Sequence, residues 1–292
     1  MRQPLIHADG HVLAAIDPSV YGRSVAGLAA WAAGRLEAPL VLLHTIQRNL
    51  SPPAADLSGN LSLGGQEALM AQLADLDEQR ARLAQEHGRI LLEQTRDQLA
   101  GSGGVEAEVR QRHGELSDTL LDLEAGVRLF VLGKRGEHAD FDRGQLGGQL
   151  EHVLRAVHRP VLVASRAFRP PQHFMIAFDG GATTRRCVEM VCASPLLKGL
   201  ACELMMVGDA ENAALREHLA WAKGQLEAAG FAPNAGIFPG HPEAVIAREV
   251  GARGIDLLVM GAYGHSRIRT LILGSTTTQV LRSCPIPVLL LR

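Results

Sequence analysis

HVLAAID at residues 11–17 returns as HFMIAFD at residues 173–179, an offset of 162. Two further pairs recur in the same order. LFVLGKRG (129–136) is matched by LLVMGAYG (257–264) at an offset of 128, and RPVLVA (159–164) by IPVLLL (286–291) at 127. Three ordered repeats make the chain a tandem duplication. The fall from 162 to 128 places 162 − 128 = 34 extra residues in the first copy, between its first and later blocks.

Each copy alternates short Val/Leu/Ile runs with longer stretches of helical period, the pattern of a parallel sheet covered by helices. In the first copy this predicts strands near 11–16, 39–45, 105–110, 128–133 and 160–164, and helices at 19–35, 66–100, 116–126 and 147–157. The second copy predicts strands near 173–178, 201–207, 233–238, 255–260 and 286–291, and helices at 182–197, 210–229, 242–253 and 275–283. Each half is thus an open, doubly wound α/β domain. Pro170 and Pro171 interrupt the chain between them and bar a helix there, which sets the boundaries at 1–168 and 169–292.

The extra residues belong to 47–98. Ser51, Pro52, Pro53 and the Gly/Ser/Asn mixture up to Gly65 read as a surface loop. From Gln66 onward, Leu69, Leu73, Leu76, Leu83 and Ile90 form a heptad-like seam that Arg80 and His87 interrupt. An amphipathic helix lying on the sheet is the expectation, with a dimerising coiled coil as its rival. Thirty-five helical residues would reach about 52 Å. Such a helix has to break near His87-Gly88 or project from the body toward a partner chain.

Composition narrows the function classes. The 292 residues carry 29 Lys+Arg against 31 Asp+Glu, a net charge of −2, and 47% of them are hydrophobic. That balance argues against a broad nucleic-acid or anionic-membrane surface. No apolar run nears the roughly 20 residues of a membrane span, and MRQPLIHADG lacks the core of a signal peptide, so the expected location is the cytoplasm. Cys187, Cys192, Cys202 and Cys284 show no zinc-like spacing and are expected to be reduced. HExxH, GxSxG, the Walker lysine motif and a dinucleotide GxGxxG after a strand are all missing. No metal site or catalytic residue is assigned.

Ligands of open α/β sheets bind beyond the carboxyl ends of the strands. Strand one ends in Asp17 and Asp179, and strand four in Gly133-Lys134-Arg135-Gly136 and Gly261-Ala262-Tyr263-Gly264. Nine residues separate Gly264 from Gly274, and Gly274-Ser275-Thr276-Thr277 opens the last helix. Glycines let backbone approach a ligand, and the free N–H groups of a helix start attract anions, so the pattern suits phosphate. A plain turn at Gly274 with Ser275 as a helix cap would produce the same letters.

GAYGHSRIRTLILGSTTTQVLRSCPIPVLLL (261–291), with Asp179 closing strand one, resembles the universal stress protein family. GKRGEHADFDRGQLGGQLEHVLRAVHRPVLVA (133–164) resembles a degenerate copy. The resemblance covers nearly the whole chain apart from the insert. It implies two tandem Rossmann-like domains, similar to adenine nucleotide alpha hydrolases, each with a five-stranded parallel sheet. The two would pack as a pseudo-dimer with strands 160–164 and 286–291 as neighbours. It further implies that Asp179 contacts the nucleoside of ATP and that backbone at Val207 meets the adenine. The two glycine segments would wrap the phosphates, through Met260, Gly261, Gly264 and His265 on one side and Gly274, Ser275, Thr276 and Thr277 on the other. Mg²⁺ is the companion ion ATP would bring.

The first copy departs from this pattern. Ten residues separate Gly136 from Gly147, and Gly148 stands where the second copy has Ser275. Between the glycine segments the second copy carries His265, Arg267 and Arg269 and no acid, whereas the first carries Glu137, Asp140 and Asp142 against Arg143. Nucleotide is therefore expected in the second half alone, with Asp17 left to cap a helix from Ser19 or to meet the loop backbone. What the resemblance implies is a stress-response protein that binds ATP and acts through protein partners, with a further homodimer open. Two other readings stay open. One is a slow ATPase or autokinase using Ser266, Ser275 or a nearby Thr, and the other a nucleotide-free scaffold for a protein or apolar ligand.

Overall fold

The computed structural model describes residues 9–47, 63–103, 105–136, 148–262 and 274–291. In the N-terminal half the strands are β1 (His11–Ala15), β2 (Leu40–Ile46), β3 (Ala107–His113), β4 (Val127–Gly133) and β5 (Val161–Ala164). Helices α1 (Gly22–Leu36), α2 (Leu63–Gly103), α3 (Leu116–Leu123) and α4 (Gly148–Ala156) alternate with them. The C-terminal half repeats the order with β6 (His173–Ala177), β7 (Ala201–Val207), β8 (Pro233–Phe238), β9 (Leu257–Gly261) and β10 (Val288–Leu291). Its helices are α5 (Ala182–Ala193), α6 (Ala213–Ala228), α7 (Pro242–Ala252) and α8 (Ser275–Ser283).

Strand order is β3-β2-β1-β4-β5-β10-β9-β6-β7-β8, a single ten-stranded sheet. Within each half all pairings are parallel, and the halves meet where β5 and β10 pair antiparallel through Val161–Leu290, Leu162–Leu289 and Val163–Val288. The two short apolar strands leave no edge at this junction, because each covers the other's unpaired backbone. Helices α1, α2, α5 and α6 contribute to the core on one face, and α3, α4, α7 and α8 to the core on the other. β5 and β10 are buried throughout for this reason. Arg35 Nε reaches across the junction and donates to the Leu196 carbonyl at 3.0 Å. Within the first half, Ser24 Oγ donates to the Ser165 carbonyl at 2.5 Å just past β5, and Gly27 lies against the Phe168 ring. All four cysteines are free.

One expectation needs correction, and a second is decided between its two branches. Helix α1 begins at Gly22, not Ser19. Asp17 Oδ1 accepts from both N and Oγ of Ser19, and Ser19 Oγ accepts from Tyr21 N, so these side chains hold a turn before the helix starts. Helix α2 is the second case. It runs unbroken for 41 residues, about 61 Å, past a strand β2 about 23 Å long. Gly88 does not break it. A Cβ there would fall 2.2 Å from Gln111 Nε2 and 2.4 Å from His44 Cδ2, so this glycine is what lets the helix approach β2 and β3. Beyond it Leu92 and Leu99 are buried, whereas Leu73, Leu76, Leu83 and Ile90 remain exposed. The helix thus lies on the sheet only through its C-terminal part, and the described part of the seam faces solvent. The side chain of Leu69 lies outside the described residues.

Candidate functional site

In the C-terminal half the first strand, β6, sits between β7 and β9, so the strand order reverses at the β6/β9 boundary. The crevice beyond the carboxyl ends of those two strands is where doubly wound folds take ligands. Helix α5 follows β6 on one face of the sheet, and α8 follows β9 on the other. Their N-termini converge on Gly261. A Cβ at Gly261 would lie 3.1 Å from Thr183 Cγ2 and 3.4 Å from Thr184 Cγ2, and Thr277 Oγ1 donates to the Gly261 carbonyl at 3.1 Å. Glycine at 261 is therefore what brings the α5 start close to the end of β9, while Thr277 clamps the α8 start to it.

Neither helix start carries a side-chain cap: Gly181 precedes α5 and Gly274 precedes α8, each without a capping hydrogen bond. Asp179 stands at the α5 start, two residues past the end of β6. Its Oδ1 accepts from Gly181 N at 2.8 Å and from Thr184 Oγ1 at 2.5 Å, which fixes the carboxylate at the mouth of the crevice. Gly180 holds φ +80°, and a Cβ there would meet His218 Nδ1 at 2.0 Å, so glycine is required on both counts. Val207 ends β7 half-buried beside Gly208, and Met260 is buried beneath Gly261. Gly274 N donates to the Ala262 carbonyl at 3.5 Å, so the start of α8 is tied to the end of β9 at this point as well.

The structure brings Asp179, Met260, Gly261, Gly274, Ser275, Thr276 and Thr277 to this one end of the sheet, with Val207 at the end of the adjacent strand. Gly264 and His265, and with them Ser266, Arg267 and Arg269, lie outside the described residues, as do Glu137, Asp140, Asp142, Arg143 and Gly147 in the first copy. One residue was missed. Thr276 Oγ1 is 3.2 Å from Glu243 Oε1, a carboxylate from the first turn of α7. The second copy therefore has an acid beside its α8 start after all, delivered from outside the glycine segments. Gly240-His241-Pro242 marked that helix start in the sequence, and the acid one position on was its only visible sign.

These donors fit an adenine nucleotide's phosphates: two uncapped helix starts, the hydroxyl of Ser275, and a glycine where a side chain would intrude, while the Thr276 hydroxyl is turned to Glu243. Aligning the halves shows what changes in the first. Tyr21 replaces Thr183, and its Cβ lies 3.1 Å from where a Cβ on Gly133 would stand. Leu150, buried, replaces Thr277 and supplies no hydroxyl to clamp strand to helix. Lys134, which a glycine loop could have turned toward phosphate, is buried and donates to the Cys284 carbonyl at 2.6 Å. The Asp17 carboxylate meanwhile points at Gly136, with Oδ2 3.5 Å from the position of a Cβ there.

Comparison with known proteins agrees with this architecture. The family model described as the universal stress protein family matches residues 10–165 and 194–292. Universal stress protein Slr1230 of Synechocystis is 35% identical over 285 residues, covering 97% of this chain and 99% of that protein. Among solved structures, a universal stress protein from Archaeoglobus fulgidus superposes with a TM-score of 0.70 at 18% identity, over 97% of this chain and 98% of the other. The functionally unknown protein PA1789 of Pseudomonas aeruginosa gives 0.61 at 18%, over 97% and 92%. At that identity the two structures speak for the fold, and the sequence matches for descent: the chain belongs to the universal stress protein family.

Proposed function

We propose that this chain, divided between Phe168 and Arg169, binds ATP in its C-terminal half alone and presents the bound state to protein partners in the cytoplasm. Support comes first from the convergence of two uncapped helix starts on Gly261 at the strand-order reversal. The donors there are N–H groups and hydroxyls, and Asp179 stands where a ribose hydroxyl could donate to it. ATP, when bound, would bring Mg²⁺. The chain's own part is to orient the phosphates along the α8 start, where the Glu243 carboxylate touches Thr276 and could share in holding a companion cation. Calorimetric titration of ATP into wild type, Gly274→Asp and Gly147→Asp tests this reading. An added carboxylate opposes phosphate only where phosphate sits, so binding should be lost in Gly274→Asp and kept in Gly147→Asp. The reverse pattern, with both variants folded, would assign the site to the wrong half.

A second reading has one observation in its favour. Thr276 donates toward Glu243, the arrangement of a hydroxyl nucleophile and its base. In that case Glu243 takes the hydroxyl proton as Thr276 Oγ1 bonds to the terminal phosphorus, the bond to the bridging oxygen breaks, and ADP leaves. Incubation with ATP and Mg²⁺ followed by phosphopeptide mapping decides it. Label absent from the peptide holding Thr276 removes this reading and leaves the first intact.

A further inference from the structure

Helix α2 carries an apolar stripe that the described part of its own chain leaves in solvent. Met70, Leu73, Leu76, Leu83 and Ile90 are 55, 38, 47, 70 and 38% exposed. They are five of the seven large exposed apolar side chains among the described residues, so the exposure is concentrated on one helix. Leu76, Leu83 and Ile90 repeat every seven residues, and Leu73 precedes Leu76 by three, which is the seam of a two-stranded coiled coil. Arg80 and His87 occupy the remaining seam positions. On the outer faces, Glu78 pairs with Arg82, and Arg89 pairs with both Glu86 and Glu93, so those charges are satisfied along the helix itself.

We infer that α2 pairs antiparallel with α2 of a second copy of this chain, and the seam charges set the orientation. A parallel pair would stack Arg80 on Arg80 and His87 on His87, burying like charges. Turned end for end, Leu73 faces the partner's Leu83, and Leu76 faces the partner's Arg80. Arg80 then stands beside the partner's Asp77. Arg80 Nη1 is already 3.7 Å from Asp77 Oδ1 of its own chain, with both side chains more than half exposed, so the pair is poised rather than buried. At the two-fold axis two arginines meet two aspartates. Gln72, Asp77, Gln79, Ala84 and Glu86 flank the seam: Glu86 comes opposite the partner's Gln72, and the two Asp77 side chains that meet at the axis are each matched by an Arg80.

Position allows the same pairing. Leu73 to Leu83 stand before the helix reaches β2 and β3 at Gly88, so a second helix can lie along them without displacing the sheet contacts. The strip is about 30 Å long and 10 Å wide. At about 300 Å² per partner this is well under half of a standard interface of about 800 Å², so the dimer is expected to be weak and to form only toward the top of a range of about 1 to 100 μM.

Sedimentation velocity on the full chain from about 1 to 100 μM reads the association directly. Wild type should pass from monomer toward dimer in the upper part of that range. Leu73→Glu/Leu83→Glu should raise the dissociation constant at least about 100-fold and Leu83→Gln less, with far-UV dichroism unchanged, and the thermal midpoint unchanged at dilutions where both proteins are monomeric, because both positions are exposed. Arg80→Glu should weaken the dimer, and Asp77→Arg/Arg80→Glu should restore it by exchanging the charges across the axis. A chain monomeric at 100 μM overturns the inference, whether the stripe is then covered by another part of the chain or by another protein. A dimer indifferent to either set of substitutions overturns it too.

Discussion

Lys134 crosses from one half of the molecule to the other and donates its ammonium to the carbonyl of Cys284. Burial, with Arg135 nearby, pushes this lysine below its ordinary value of 10.5. The unfolded chain therefore keeps a proton that the folded chain gives up in the window just below 10.5. Stability rises with pH wherever the unfolded state binds more protons. Wild type should gain stability through that window relative to Lys134→Met. At neutral pH the same variant should lose about 1 kcal/mol, because the carbonyl loses a charge-assisted donor while a costly buried charge is also removed. Urea unfolding of both proteins from neutral pH to 10.5 checks the two statements together.

Glu243 accepts from Thr276 beside the proposed phosphate site, and a carboxylate there opposes an anion unless a cation intervenes. Glu243→Gln should strengthen ATP binding about 5-fold without Mg²⁺ and shrink the effect of adding Mg²⁺. Equal affinities for both proteins under both conditions would place Glu243 outside the site.

Gly180→Ala should cost about 3 kcal/mol, since the new Cβ meets His218 Nδ1 at 2.0 Å and the backbone must hold φ +80°. Removing the obstacle separates the two causes. In Gly180→Ala/His218→Ala the clash is gone and about 1 kcal/mol of backbone cost should remain. Thermal or chemical unfolding of the cycle gives the coupling directly.

His11 predicts the acid side of the stability profile. Burial, then the Arg110 charge, lowers its value from 6.5, against a smaller opposing effect of Glu108, and its buried Nε2 has no hydrogen-bond partner among the described residues. Folded chains resist protonation here while unfolded chains accept it, so stability attributable to His11 is full above 6.5 and falls as pH drops toward the lowered value. His11→Gln should flatten that slope in unfolding experiments between pH 7 and 5.

Much of this molecule could be read from letters, because repeats and apolar runs are local signals. Strand β8 and helix α8 fall on the residues expected, and the pairing of β5 with β10 follows from two matching apolar runs at the ends of their halves. Long-range convergence was illegible. Glu243 lies 33 residues before Thr276, and only the folding of α7 against α8 unites them. The start of α1 was misplaced because Asp17 satisfies Ser19 through its side chain, a competition that propensity does not show. Gly88 looked like a helix breaker and proved to be a contact point, since the letter gives propensity and not the neighbour across the sheet.

Carrying both sides of the β5/β10 junction on one chain frees the two halves from having to match. Two identical subunits joined through such strands must share every substitution, so a change that spoils one crevice spoils both. Joined in one chain, the halves stay together at any dilution, and each can drift separately. Tyr21 opposite Thr183, Leu150 opposite Thr277 and Lys134 opposite Ala262 are the residue-level record of that freedom. One crevice can turn into scaffold while the other keeps its glycines.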